Sequence, residues 1–556
     1  MPNQQDKPKI FDDFSGGTLY DVSMFKMPEE VTPHSINMVF DEEIGAAKVR
    51  KGTAQQAAQM VNDKPVLGLA NLRRRGDTNH ALLAAISDGT NNDIYKVNDE
   101  SKSLQDDTKD LKTRFCQFLD SIVRVNGIDA AKSFDGSSWI TTGGVFDLAN
   151  MPTGSFVVNY KDRVHTMSEN GFLYSSSVPR FFLDYDGQSA NFTKDATVTG
   201  GTSGATGIIK NDTDGGASGT LELVGVAGTF QNNEEITDDE DTPGTADVNG
   251  TGVWKLNWLD GHITTPIDPD NGLKGKATGF GKVGGLLLIF FERAMYSWNG
   301  LSTEADEIVG IGCSSQESVA TDGGSGLLFF ANKDGVFITR GGYPQKISRF
   351  VQPYFDNMSS ANYEHIAGGC DGKHYFCSLG DVALNGRTIE NVVLRYTIQS
   401  QEWAVLSYPT QPRVFATYID GTDVKLLYGD NDGNVIELDS SDENDNYAAV
   451  TDVPIKYELD INDIWQPLQG IRKSIVDKIV VLSEDNSGAK LLYRIDSTKE
   501  EDWKTLGAFR ENIAIMKNIN IPKFNYCRLR IAGRSDKGRM IVRGIEIPNI
   551  KLHGYK

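Results

Sequence analysis

Apolar residues in this chain come in short runs of four to eight, each ended by glycine, asparagine or aspartate, with no sustained 3.6-residue rhythm. Residues 276–350 show the pattern best. The run at 286–291 (LLLIFF) is followed by the turn Glu292-Arg293 and an alternating strand at 294–298. The run at 327–330 is followed by Asn332-Lys333-Asp334-Gly335 and a strand at 336–339. Strands of this length between such turns predict β-hairpins. The unit returns at 363–378 with 391–407, and again at 414–438. Earlier sets begin at Val66 (VLGLANL, HALLAAIS, DIYKV), at RFCQFLD with SIVRVN and AAKSFDGSSW, and at SFVVNY with DRVHTMS and GFLYSSS. Small antiparallel meanders repeating every 40–50 residues or so predict the blades of a β-propeller. Six or seven sets are visible, and either the N-terminal arm or the C-terminal domain could close the ring.

The pattern breaks in three places, so the expected organisation is all-β with five parts. Residues 1–60 hold little periodicity and predict an extended arm lying on another surface. The propeller's first part is 61–190 and its second 253–440. Between them, 191–252 changes composition: from Asn211 to Trp254 there is no Lys or Arg but ten Asp or Glu. Short strands at 205–210, 219–224, 235–237 and 244–248 can fill a small core, so this is read as an inserted, acidic β module. After the linker SSDENDNYAAVTD, residues 450–556 carry longer strands with looser links, which predicts a C-terminal β-sandwich.

Composition narrows the function. A chain of 556 residues is too long for one core. With 57 glycines and no long helical segment, turns and short strands dominate. The formal charge of −21 disfavours a groove that grips phosphate, though it does not stop DNA passing nearby, because like charge repels the backbone. Cys116, Cys313, Cys370, Cys377 and Cys527 are an odd number without framework spacing, read as reduced, buried thiols made in a cytoplasm. The opening MPNQQDKPKIFDDF has no apolar h-region, so no secretory leader is expected. No apolar run reaches eighteen residues, so no membrane-spanning segment is expected either.

Candidate chemistry is thin. Asp430-Asn431-Asp432-Gly433-Asn434 with Glu437 resembles half a calcium loop, but the bidentate acid is misplaced, and a hairpin turn explains it better. Asp238-Asp239-Glu240-Asp241 could crowd carboxylates around an ion, yet such runs are usually solvated. SFDGSSW at 133–139 is similar to the Asp-box of sialidase propellers, one residue short and without a second copy. The histidines His34, His80, His165, His262, His365, His374 and His553 show no metal-ligand pairing. GTSGATG at 201–207 lacks the lysine and helix of a phosphate cradle. The expectation is therefore no catalytic residue, no cofactor-binding residue, no metal ligand and no enzyme activity.

One resemblance gathers these features. The arm's FSGG and Arg50-Lys51-Gly52, then Gly312, Cys313, Ser315, Ser318 and Val319, then Asp334-Gly335-Val336-Phe337 with Lys346-Ile347-Ser348, then Val393-Leu394-Arg395-Tyr396 with Trp403, form an ordered text. It is similar to the tail nozzle, also called tail tube B or stabilisation protein, of short-tailed bacteriophages. The likeness covers roughly 10–190 and 253–440, and the sandwich more loosely. It implies a virion protein of the phage tail, made in the host cytoplasm. The implied assembly is a homo-hexamer below the portal and the adaptor (head–tail connector) ring. Tail fibres or spikes attach to its flank, and genomic DNA passes through its channel without sequence-specific binding. The acidic insert departs from the nozzle, although its VTGGTSGATG, SGTLEL and GTFQNNEEIT look like a small β module that recurs in phage structural proteins; it is expected to line the exit or to meet the fibre or host surface. The competing expectation is a receptor-binding or carbohydrate-active propeller, a fibre protein or a glycosidase with paired carboxylates. A scaffold propeller of the WD class would show Gly-His and Trp-Asp repeats, which are missing here.

Overall fold

Each blade is built by local turn chemistry. In Leu328–Asn332 and Gly335–Thr339, Phe330 faces Phe337 and Asn332 faces Gly335. The amide of Asp334 donates to Asn332 Oδ1 at 2.8 Å, which closes the turn. Gly335 has φ +142°, and a Cβ there would run into Ser348, so glycine is required. In this computed structural model the described residues run from 4 to 554. Excepted are 21–25, 75–80, 107–109, 141–145, 149, 251, 257, 259–266, 268–272, 301, 303, 323, 325, 421–422, 449, 466–470, 486–487, 510–511 and 537.

Seven such sheets form a β-propeller. Blade 1 starts with Val66–Leu72, blade 2 with Arg114–Phe118, blade 3 with Phe156–Tyr160 and blade 4 with Ala277–Val283. Blades 5, 6 and 7 start with Ala320–Thr321, Ala367–Cys370 and Pro412–Asp420. These innermost strands touch one another in that order, and the last touches the first. Alternate residues of one strand fill the cores on its two sides. Leu287 and Ile289 pack toward blade 3, whereas Leu288 and Phe290 pack toward blade 5. That is why these runs read as continuously apolar.

The ring is closed by the arm. Ala54–Gln55 adds the outermost strand of blade 7, with Ile436 facing Gln55 and Glu437 facing Ala54. The propeller therefore begins inside the segment assigned to the arm, before residue 61. Other described parts of the arm lie on two surfaces: the amides of Thr18 and Asn37 donate to Trp403 O and Val405 O of blade 6, each at 2.8 Å, and four short strands join the C-terminal sandwich. Gln4–Gln5 pairs with Ile550–Gly554, Lys9–Phe11 and Ala47–Val49 with Ile541–Ile547, and Ser35–Ile36 with Lys456–Trp465. The sandwich, called the base below, is thus built from both ends of the chain. Its two sheets enclose one core with blades 6 and 7, in which Phe376 and Tyr428 meet Tyr457 and Ile531.

The insert is a closed six-stranded barrel. Its strands are Arg180–Ala190, Thr197–Gly200, Thr206–Asp214, Gly219–Ala227, Glu235–Asp238 and Thr245–Val248. The first pairs with the last through Tyr185 and Val248, so the sheet closes on itself. The expected boundary at 191 falls after the whole first strand, which the barrel needs for closure. Likewise Val253–Lys255, assigned by sequence to the propeller, pairs with Arg180–Phe182 and with Phe146–Asp147 in the barrel's sheet. Blade 4 starts only at Ala277.

Candidate functional site: the plugged axis and the braced base

The residues singled out by sequence serve the fold. Asp430 Oδ1 accepts from the amides of Asp432 and Asn434 at 2.9 and 2.8 Å, which spends the carboxylate on its own turn. Asp238 accepts from Thr193 N and Gly244 N at 2.9 and 2.8 Å, and Asp239 from Thr197 N at 2.7 Å. In the Asp-box-like stretch, Asp135 caps Ser137 and Ser138, and Trp139 stacks on Phe134 with centroids 4.9 Å apart. The glycine-rich loop at 201–207 gives the amides of Thr202 and Ser203 to Glu234, so its donors face a carboxylate of the same chain.

His165 is buried and bonded to Ser175 Oγ and Tyr160 O. His553 bonds Ser474 Oγ at 2.8 Å, while His80 and His262 lie outside the described residues. All five cysteines are buried and unbridged, and burial pushes the thiols of Cys116, Cys313, Cys370 and Cys377 up to about 12. Among the described residues no three His, Cys, Asp or Glu gather to hold a metal ion.

The structure brings together two ionic sites that sequence reading did not find. The first lies on the propeller axis. Lys112 and Arg114 lead into the inner strand of blade 2, and Glu317 sits in the short turn Gln316–Ser318 that precedes blade 5. Blades 3 and 4 separate them on one side of the ring and blades 6, 7 and 1 on the other. Even so, Arg114 Nη2 is 3.0 Å from Glu317 Oε1, and Lys112 Nζ is 3.2 Å from Glu317 Oε2. Lys112 also donates to Glu364 O, next to blade 6, at 2.6 Å.

The ion pairs therefore cross the hole that a propeller would otherwise leave. Arg114 is further fixed by Ser155 O at 2.9 Å and by the Phe156 ring at 4.4 Å. Burial alone would raise the Glu317 carboxyl. The charges of Arg114 and Lys112, with the hydroxyl of Ser315, instead hold it at about 2. His365 and Arg413 stand beside this cluster, and burial lowers the pKa of both.

The second site joins arm, propeller and base. Arg50, 1 % exposed, meets both oxygens of Asp445 at 2.8 and 2.7 Å and donates to Asn37 Oδ1 and Ser407 O. Its guanidinium lies 4.3 Å from the Tyr408 ring. Nearby, His374 of blade 6 stands between two carboxylates, Nδ1 at 2.8 Å from Asp371 and Nε2 at 2.7 Å from Asp41 of the arm. Asp41 also binds Arg395. Burial alone would lower the His374 pKa, but its bonds to Asp371 and Asp41 outweigh it and raise the pKa above the usual value. A third group ties Arg387 of blade 6 to Glu458 of the base at 2.8 and 2.7 Å, and Arg530 to Glu458 at 3.0 Å. Beside these braces a cleft of about 780 Å³ runs between blade 6 and the base, lined by Asn37, Arg387, Glu390, Lys456 and Arg534 among others.

No family model and no curated protein sequence matches the chain. Solved structures align with it only at low identity. The extracellular domain of a one-component system of B. thetaiotaomicron aligns over 90 % of this chain and 61 % of its own, at 10 % identity and a TM-score of 0.37. This chain thus spans about three fifths of that protein's length. Sqt1 of Saccharomyces cerevisiae aligns over 73 % of this chain and 99 % of its own, at 9 % identity and a TM-score of 0.35. A chain of the mitotic checkpoint complex aligns over 70 % and 95 %, at 9 % identity and a TM-score of 0.37.

Several residues of the ordered text, Gly312 to Ser318, sit at joints between blades. A Cβ on Gly312 would clash with the backbone at Phe291. Cys313 is sealed between blades 4 and 5. Ser315 Oγ donates to Ile366 O at 2.9 Å, and Tyr375 Oη to Ser318 O at 2.8 Å, which ties blade 5 to blade 6. Among the described residues no helix is long and apolar enough to cross a membrane.

Proposed function

We propose that this chain is a structural, ring-forming protein of a short-tailed phage particle, the tail nozzle, with six copies around a channel for the genome. The observation that supports this most is the weave of the arm. One continuous segment closes the propeller at Ala54–Gln55, adds strands to both sheets of the base, and anchors Arg50 and Asp41 in the ionic braces. Such a connection suits a part that bears load better than one that opens for a substrate. The ordered text adds support of the same kind, since Cys313, Ser315 and Ser318 hold blades to each other.

The plugged axis refines the reading. With Arg114 and Lys112 bridged to Glu317, the hole of a single propeller is not a path for a duplex. The channel is then the space enclosed by the ring of copies. Six chains of −21 would carry roughly −126 formal charges, a field that keeps phosphate from sticking to the wall. The adaptor ring, the portal and the fibres or spikes are the partners of this reading.

The test is the mass of the purified chain by light scattering, alone and after mixing with the portal–adaptor complex of its own particle. A hexamer, or a monomer that becomes six per ring on mixing, is the expected result. A stable monomer or trimer that ignores the portal overturns it, and glycan-binding and hydrolysis assays then test the receptor-binding or glycosidase alternative.

A further inference from the structure

The propeller carries two appendages rooted at opposite places on its rim, one strongly acidic and one with a cationic patch. The barrel is rooted at blades 2 and 3, where Trp254 and Leu256 pack with Val123 and Val164. The base is rooted at blades 6 and 7. Blade 3 is three blades from blade 6 in one direction and three from blade 7 in the other. Between residues 180 and 250 there are thirteen Asp and Glu against three Lys and Arg, a net of −10. Between 452 and 556 there are nineteen Lys and Arg against fourteen Asp and Glu, a net of +5, while the arm residues 1–50 that complete the base carry a net of −4, so the base as a whole is close to neutral and its positive charge is local.

One sheet of the base presents a patch of cations, with a single exposed acid, Glu546, in the cross-strand row of Ile515. Ile471–Glu484 and Ile513–Phe524 pair so that Lys478 faces Lys517 and Leu482 faces Ile513. Lys478, Lys517, Lys523, Arg472 and Lys551 are all exposed, and none forms an ion pair among the described residues. Like charges directly opposed on a sheet destabilise it. Beside them Ile513, Ile515 and Leu482 are 53, 50 and 45 % exposed. Ile513–Phe524 is moreover an edge strand, paired on one side only. The barrel shows the same arrangement with the sign reversed. Asp186 faces Asp247, and Asp247 faces Glu235, three exposed carboxylates in one row across three strands.

We infer that copies of this chain associate head to tail, the cationic and apolar outer face of the base of one copy receiving the acidic flank of the barrel of the next. The two faces cannot meet within one chain, because the propeller stands between their roots. Between copies each offsets the repulsion in the other. A contact between two different patches of this kind is heterologous, and it closes into a ring when the rotation permits. The exposed Ile513, Ile515 and Leu482 favour a protein partner over nucleic acid, since a phosphate backbone has no use for them. The inference concerns self-association alone and stands or falls without reference to a virus.

The test uses the full chain in sedimentation velocity at low and high salt. One variant carries Lys478→Glu with Lys517→Glu, the other Asp186→Lys with Asp247→Lys; all four sites are exposed, and thermal melts check the fold. The expected result is that the unaltered chain associates in a salt-sensitive way, and that each variant alone associates at least tenfold more weakly. An equimolar mixture of the two variants should recover assembly, because each then offers the face the other needs. Should either variant prove unstable, Lys517→Gln and Asp247→Asn replace the reversals, with a smaller loss expected.

Unchanged assembly of both variants overturns the inference and places the interface elsewhere, while leaving a ring possible. So does a mixture no better than its components, or an unaltered chain that stays monomeric throughout. Binding of a 20-base-pair duplex to the base face of a chain that remains monomeric would assign that face to nucleic acid and equally overturn it.

Discussion

The base and the barrel are both small β structures attached to one propeller, yet they are attached by different physics. The base shares its core with blades 6 and 7 and is pinned by ion pairs whose partners come from arm, blade and sandwich, of which Arg50–Asp445 is buried on both sides. The barrel has its own closed core and reaches the propeller through one short hairpin and the packing around Trp254. Buried pairs cost desolvation and contribute little net stability when intact, but their loss is severe, because the surviving partner is left charged in a dry place. Shared cores and buried pairs therefore make a joint that fails all at once. A hairpin tether makes one that can be cut cleanly, and the predictions below separate the two.

The largest effect is expected at Arg50. Arg50→Ala strands the Asp445 carboxylate, 4 % exposed, where arm, blade 6 and base meet. A loss of about 3–5 kcal/mol is expected in urea unfolding. Replacing both partners, Arg50→Met with Asp445→Leu, should cost distinctly less than the single change. Equal losses would mean that packing, not the uncompensated charge, holds this joint.

Next comes Glu317 on the axis. Its carboxyl sits at about 2 when folded, against a usual value near 4.5. A lowered pKa gives stability that is fully present above the unfolded value and is lost as pH falls through the folded one. The plug should therefore weaken progressively from about pH 4.5 toward pH 2, by roughly 3 kcal/mol in all. Glu317→Gln should remove that part of the acid sensitivity and lower stability at neutral pH. A variant whose acid melting profile matches the parent's would deny the plug its role.

His374 should give a smaller effect of opposite sign. Its pKa is raised by Asp371 and Asp41, so its contribution is complete below the unfolded value near 6.5 and fades as pH rises through the folded one. Melting temperatures measured from pH 6 to 9 should fall on the alkaline side, and His374→Gln should flatten that fall. The residual bond between Asp41 and Arg395 limits the change to about 1–2 kcal/mol.

Sequence and structure agree where contacts are local. The hairpins at 286–298 and 328–339 were legible because each strand's partner lies a turn away and the turn residues are diagnostic. Closure of the ring by Ala54–Gln55 was not, because two residues pair with a strand some 380 positions later and carry no pattern of their own. The arm's share in the base was hidden for the same reason: Ser35–Ile36 and Gln4–Gln5 are too short to show a period. Glu317 was invisible as a site because its partners belong to a blade across the ring, and only the closed propeller brings them within 3.0 Å. The barrel boundary slipped because Arg180–Ala190 alternates like a blade strand, and only its pairing with Thr245–Val248 shows where it belongs.

The smallest effect should come from removing the barrel altogether. Phe182 and Val253 face each other in the tether hairpin, so their backbones are already close enough to be joined by a two-residue turn. Replacing 183–252 by Asn-Gly, a sequence suited to that turn, keeps Arg180–Phe182 paired with Val253–Lys255 and leaves Trp254 in place. Because the barrel's core residues, such as Ile209, Leu221 and Val248, pack among themselves, the remaining chain should lose less than about 1 kcal/mol in urea unfolding. The loss would come chiefly from Phe181, whose ring contacts Phe230 at 6.2 Å within the barrel and Trp254 at 5.2 Å at its root. A loss as large as that of Arg50→Ala would show that barrel and propeller unfold as one unit, and the contrast between tether and brace would fail. If stability survives while association is lost, the barrel acts on other copies rather than on its own propeller.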